Sequence, residues 1–123
     1  MKLVQSLVIV AFLFQLAACS KNQRTNRTIE GTWTATTIAG VAASSTLKES
    51  LTFAKGKKGE GTGTVSITQG TVTEDGVMRY FIKNSRITLI VDETVTVFYD
   101  IEALSDSEMT LKDVEGALTV LTK

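Results

Sequence analysis

Few residues in this chain can do chemistry. Its 123 residues include one cysteine, Cys19, and no histidine. That removes the imidazole base, the Ser/His and Cys/His nucleophile pairs and the commonest metal ligand. A single thiol can neither close an internal disulfide nor build a thiolate metal cage. Paired carboxylates serve acid–base catalysis when a cleft shelters them, but Glu74-Asp75 and Asp92-Glu93 are adjacent residues in turn-like segments, where water solvates both. The stretch Lys55-Gly56-Lys57-Lys58-Gly59-Glu60-Gly61-Thr62-Gly63 offers backbone amides and ammonium groups to a phosphate. It has no Gly-Lys-Ser/Thr step and no following helix, so neither the cradle nor the helix dipole is available, and it reads as a flexible hairpin connection. No catalytic residue, metal ligand or cofactor is expected, and the chain is expected not to be an enzyme.

The chemistry that remains is modification of Cys19. Met1-Lys2 gives a positive amino end, and Leu3 to Phe14 is an apolar run broken by Gln5 and Ser6. The run is too short for a permanent membrane span and reads as a secretory signal. Leu16-Ala17-Ala18-Cys19 follows at once and resembles the lipobox of bacterial lipoproteins. The resemblance implies cleavage after residue 18 and acylation of Cys19. Several acyl chains on one residue anchor a protein stably. Ser20 stands where an acidic residue would mark inner-membrane retention, and Ser20-Lys21-Asn22-Gln23 lacks the acidic run that marks surface export. The implied location is the bacterial outer membrane, on its periplasmic face. Asn26-Arg27-Thr28 matches a glycosylation acceptor of eukaryotic secreted proteins, which a lipobox makes irrelevant.

Thirteen basic and thirteen acidic residues balance, and no basic run is interleaved with aromatics, so nucleic acid is not an expected partner. The distribution is less even: residues 19–86 carry 10 basic and 5 acidic side chains, and residues 87–123 carry 2 and 8. Residues 19–29 show no apolar periodicity and are expected to form a lipidated flexible tether. Its three spread cations fall short of a lipid-recognition cluster.

These elements must be carried by a domain, and from residue 30 onward its signal is alternation. Leu51/Phe53, Val65/Ile67, Met78/Tyr80/Ile82, Ile87/Leu89/Val91, Val95/Val97/Tyr99/Ile101, Met109/Leu111 and Leu118/Val120 sit in short segments separated by turn residues. Eight strands are predicted over 31–38, 47–54, 61–69, 77–83, 86–91, 95–104, 108–112 and 117–122. Parity tests the register. A two-residue turn at Asn84-Ser85 sets Ile82 against Ile87, Tyr80 against Leu89 and Met78 against Val91. A turn at Asp92 to Thr94 sets Leu89 against Val97 and Ile87 against Tyr99, and one at Ser105 to Ser107 sets Ala103 against Met109 and Ile101 against Leu111. One apolar face persists through four linked strands. The predicted fold is all-β, an antiparallel up-and-down eight-stranded β-barrel whose closure removes exposed edges.

Gly31-Thr32-Trp33, opening the first strand of such a meander, resembles the Gly-x-Trp motif that starts lipocalins. The stretches from Tyr80 to Leu89 and from Ile101 to Leu111 resemble the closing hairpins of small lipocalin-like domains in bacterial lipoproteins. The resemblance implies a lipocalin-like barrel over residues 30–123, with Trp33 packed across its closed end. The chain departs from the pattern in having no Thr-Asp-Tyr turn, no arginine in the last strand to cover the tryptophan, and a shorter length.

Three functions follow as expectations. The first is binding of a small apolar or amphipathic ligand at the open end, lined by Phe53, Met78, Tyr80, Tyr99 and Met109; the same residues could instead fill the barrel interior. The second is a protein-interaction or inhibitor module acting through its outer surface, with an envelope protein as partner; a third reading makes the domain a subunit of an envelope assembly. The register points Phe81 and Phe98 outward across Thr88, with Ile90 diagonal to them, an apolar patch suited to a cover unless a bulge turns one phenylalanine inward.

Overall fold

The computed structural model describes residues 25–123. The expected signal segment at 1–18, Cys19 and the start of the tether lie outside the described residues. The strands are β1 (Gly31–Ile38), β2 (Val41–Ala42), β3 (Leu47–Phe53), β4 (Glu60–Gln69), β5 (Val72–Lys83), β6 (Arg86–Val91), β7 (Val95–Leu104), β8 (Glu108–Lys112) and β9 (Leu118–Thr122). Each pairs antiparallel with the next, except that β2 is a two-residue arm folded back on β1 while β1 itself pairs with β3. Pairing of β1 with β9 closes the sheet. The molecule is therefore a closed eight-stranded up-and-down barrel with one short appendage.

Local chemistry explains the sharp corners. Asn84 and Ser85 have φ of 52° and 64°, and Asp92 and Glu93 have φ of 51° and 60°. Two successive left-handed residues make the hairpin turn whose twist matches that of the flanking strands, and Asn and Asp tolerate that region best. The β5–β6 and β6–β7 ladders then follow the parity: Ile82 lies opposite Ile87, Tyr80 opposite Leu89, Met78 opposite Val91, Leu89 opposite Val97 and Ile87 opposite Tyr99.

Four local expectations are corrected. Glu74-Asp75-Gly76 is not a turn but the interior of β5; the chain reverses at Gly70-Thr71, with Gln69 opposite Val72. A bulge between Ile101 and Ala103 puts Leu104, rather than Ala103, opposite Met109, so the larger side chain packs against the core. In β9 the inward residues are Thr119 and Leu121, 5% and 0% exposed, whereas Leu118 is 42% exposed. Pairing of Leu121 with Met109 fixes that face, and the Ala39 N–H donates to the buried Thr119 hydroxyl at 3.0 Å. Finally, residues 25–29 are helical and Asn26 and Ile29 are fully buried, so the tether does not reach residue 29.

The interior is one cluster that runs from Ile29 through Trp33, Leu51, Phe53, Tyr80, Ile87 and Leu111 to Leu121. It fills one end of the barrel more completely than the other.

Candidate functional site

At one end the chain seals the barrel. Trp33 is 0% exposed, and its indole N–H donates to the Ile29 carbonyl at 2.8 Å, which pins the helical turn across the opening. Lys123, directly after β9, places its ammonium 5.3 Å from the Trp33 ring centroid and donates to the Thr28 carbonyl. The cation missing from the last strand is thus supplied by the residue that follows it. Behind Trp33, Phe53 and Tyr80 meet edge to face at 5.2 Å. The Tyr80 hydroxyl donates to the Ala54 carbonyl at 3.0 Å and accepts from the Asn26 amide, whose oxygen accepts the Gly59 N–H. Burial raises the Tyr80 pKa; the Asn26 hydrogen bond opposes the rise and the Glu30 charge adds to it.

The glycine-rich connection has its reason here. A Cβ at Gly56 would collide with the Tyr80 hydroxyl and one at Gly61 with the Tyr80 ring. Lys58 and Gly59 take left-handed φ of 56° and 79° to turn between Lys57 and Glu60. The loop is a clamp on Tyr80 and Asn26, not a loose connection, and the glycines supply close approach rather than a phosphate cradle.

The other end is open. Alternation keeps Ile67 (40% exposed), Val72 (58%) and Val95 (53%) on the inner face, yet water reaches all three. Glu49 also falls on the inner face, between Leu47 and Leu51. Burial holds its carboxyl above the usual range. Tyr99 lies in the same half, its phenol pushed up to about 12, first by burial and then by the negative charges of Glu49 and Asp113. The β1–β3 ladder stops at the pair Thr34–Ser50. Beyond it a cleft of about 480 Å³ opens, lined by Ala35 and Glu49 together with Lys48, Ser50, Ser66 and Thr68, which alternate to the outer face.

The five expected lining residues are therefore divided. Phe53, Met78, Tyr80 and Met109 are 0–3% exposed and belong to the filled core; Tyr99 is half-buried, near Glu49 and Asp113 of the open end. None of the clefts of 430 to 550 Å³ described on the surface is lined by any of the five. Glu49 was not singled out from the sequence, although the spacing of Leu47, Leu51 and Phe53 already assigns it to the inner face. Asn26 had no such signal, since its burial depends on the loop around Gly59.

On the outer face, Phe81 and Phe98 lie opposite Thr88 on its two sides. Phe98 is 45% exposed, and the Arg79 guanidinium, held by both oxygens of Glu93, covers Phe81 at 5.6 Å. No bulge interrupts either ladder there. Among the described residues no cluster of His, Cys, Asp and Glu is arranged to hold a metal ion.

The model of the lipocalin-like domain family matches residues 29–111. The chain belongs to the lipocalin-like domain family. The fold of this lipocalin-like domain is shared with the crystal structure of a lipocalin-like protein from Bacteroides uniformis, 16% identical, with a TM-score of 0.55 over 78% of this chain and 98% of that one. No curated protein matches the chain.

Proposed function

We propose that the protein is a lipid-anchored lipoprotein of the bacterial outer membrane, attached through Cys19 on the periplasmic face, and that its lipocalin-like domain binds a small apolar or amphipathic molecule without chemical turnover. The observation that carries the binding reading is the contrast along the inner face: apolar residues are shut from water at the Trp33 end and accessible at the other. An eight-stranded interior has room for little more than its own side chains, so a ligand sits at the open mouth. There Ile67, Val72 and Val95 supply apolar surface, while Tyr99 and Glu49 supply the polar contacts that fix orientation. Glu49 favours a ligand group that donates a hydrogen bond.

Native mass spectrometry of the protein isolated from its own cell tests the binding reading. A retained small-molecule mass is expected, lost in an Ile67→Asp/Val95→Asp variant that still folds; a bare protein mass, with the mouth intact, refutes it. The anchor is tested apart from the ligand. Wild-type protein should incorporate labelled palmitate and Cys19→Ser should not; label persisting in Cys19→Ser refutes the anchor. A second reading, an interaction or inhibitor module for an envelope protein, draws on Phe81, Ile90 and Phe98 on the outer face, and predicts that Phe98→Ser abolishes a specific crosslink in intact envelopes.

A further inference from the structure

Barrel closure sorts charge in a way the linear sequence does not. The clamp loop brings Lys55, Lys57 and Lys58 to the sealed end, where Arg27 lies on the helical turn and Lys83 at the end of β5. The loop and the β5 end are joined by the Ile82 N–H donating to the Gly59 carbonyl at 2.6 Å. All five cations are exposed, and none of the ion pairs among the described residues involves Lys55, Lys57 or Lys83. The acids of this end are Glu30 and Glu60 near the loop, Asp100 paired with Arg86, and Asp106 and Glu108 on the far side by the β7–β8 turn. At the open end stand Glu74, Asp75, Asp92, Glu93, Asp113 and Glu115, with Lys48 and Lys112 as the cations there. The domain is thus positive along one arc of its sealed end and negative around its mouth.

Phe81 lies inside the positive arc. A cleft of about 550 Å³ on one side of it is lined by Lys55, Lys57, Glu60 and Arg79, the last paired with Glu93, and one of about 470 Å³ on the other by Lys83 and the paired Arg86 and Asp100. An apolar ring flanked by cations, with the Arg79 guanidinium over it, matches the mix of apolar and basic side chains that segments lying on a membrane surface present. The chain also leaves the domain at this end: Asn26 is locked to Gly59 and Tyr80. Five residues separate Thr25 from Cys19, a stretch of at most about 20 Å. Lys21 and Arg24 lie within it.

We propose that the sealed end docks on anionic lipid headgroups through Lys55, Lys57, Lys58, Lys83, Arg27 and Phe81, and that this holds the acidic mouth away from the membrane. The orientation rests on the acyl anchor at Cys19; the basic arc does not. Clusters of four to eight cations beside an anchor bind anionic lipid, each adding to the attraction within a Debye length of the surface. Tethering supplies the local concentration that makes weak docking effective.

The test uses the full lipoprotein, purified from membranes and reconstituted in vesicles of phosphatidylcholine alone or with phosphatidylglycerol added. Single reporter cysteines, Ala54→Cys at the sealed end or Val114→Cys at the mouth, carry a fluorophore, and nitroxide lipid headgroups quench it. Both positions are exposed. With phosphatidylglycerol, quenching at position 54 should exceed that at 114. The excess should shrink in phosphatidylcholine and in about 0.5 M salt, and Lys55→Glu/Lys57→Glu should weaken docking by about thirtyfold or more. Phe81→Ser should reduce it further. Equal quenching at both positions, or an excess indifferent to phosphatidylglycerol and charge reversal, overturns the proposal. Flotation separates the two ideas. Protein that floats with phosphatidylglycerol vesicles alone keeps the basic arc and loses the anchor. Protein that floats with both but shows no asymmetry keeps the anchor and loses the arc, and protein that floats with neither overturns both.

Discussion

Trp33, Phe53 and Tyr80 at the sealed end and Ile67, Val72 and Val95 at the mouth all occupy inward positions of the same alternating strands, yet the first three are at most 2% exposed and the last three at least 40%. What separates them is the cover. The 25–29 turn and the clamp loop lie across the first set, and among the described residues no buried side-chain nitrogen or oxygen lacks a partner. At the mouth, β5 runs past β6, which begins to pair with it at Met78, so residues 72–77 have β4 on one edge and no strand on the other. Glu74 and Asp75 charge that edge, which discourages pairing with another chain. A barrel end is therefore sealed by extra chain or left open by its absence; alternation by itself makes neither.

The comparison can be broken most forcefully at Trp33. Trp33→Ala removes the indole, its hydrogen bond to the turn and the surface under Lys123, and should cost ~3–5 kcal/mol, much of the stability of a domain this size. Chemical denaturation measures it, and a variant that melts within a few degrees of wild type would show that the seal is not structural. Next comes Asn26→Ala, which leaves the Gly59 N–H without its acceptor and the Tyr80 hydroxyl without its donor, at about 1–3 kcal/mol. Hydrogen exchange should show the 25–29 turn and the clamp loop opening while β6 to β8 stay protected.

Smaller effects belong to the mouth. Burial raises the Glu49 pKa in the folded state, so the fold binds that proton more tightly than the unfolded chain. The contribution is fully present below the unfolded pKa and is lost as pH rises through the folded one. Glu49→Gln should therefore melt higher than wild type at pH 7 and equal it near pH 4. A difference that does not vary with pH would place the carboxyl in water. The same substitution removes one of the two charges that add to burial in pushing the Tyr99 phenol up to about 12; an ultraviolet titration should find its midpoint lowered, with Tyr80 little changed. The smallest effect is expected at Lys123→Met, which loses an exposed hydrogen bond to the Thr28 carbonyl and about 0.5–1 kcal/mol of cation–π attraction over Trp33.

Much of the barrel is legible in the sequence. The turn chemistry of Asn84-Ser85 and the apolar parity of Met78 to Ile101 specify register because a one-residue slip would send every apolar side chain outward. The parity argument failed where a partner strand intervened. In β7 nothing local marks the bulge that exchanges Ala103 for Leu104. In β9 both faces carry apolar residues, and pairing with Met109 decided between them. Glu74-Asp75-Gly76 has turn composition but lies inside β5, because β4 offers it a complete ladder. At the mouth, alternation alone carries the inward place of Tyr99 and of Glu49, whereas the burial of Asn26 has no local signal.

The sequence by itself determined the meander, its main hairpins and the inward place of Trp33, since alternation and left-handed turn residues act over a few neighbouring positions. The tertiary structure alone decided which end is sealed, which inward residues stay within reach of water, and how charge divides between the ends. Those properties depend on closure of β1 against β9 and on side chains more than fifty positions apart, such as Asn26 and Tyr80, and no local pattern encodes a contact of that span.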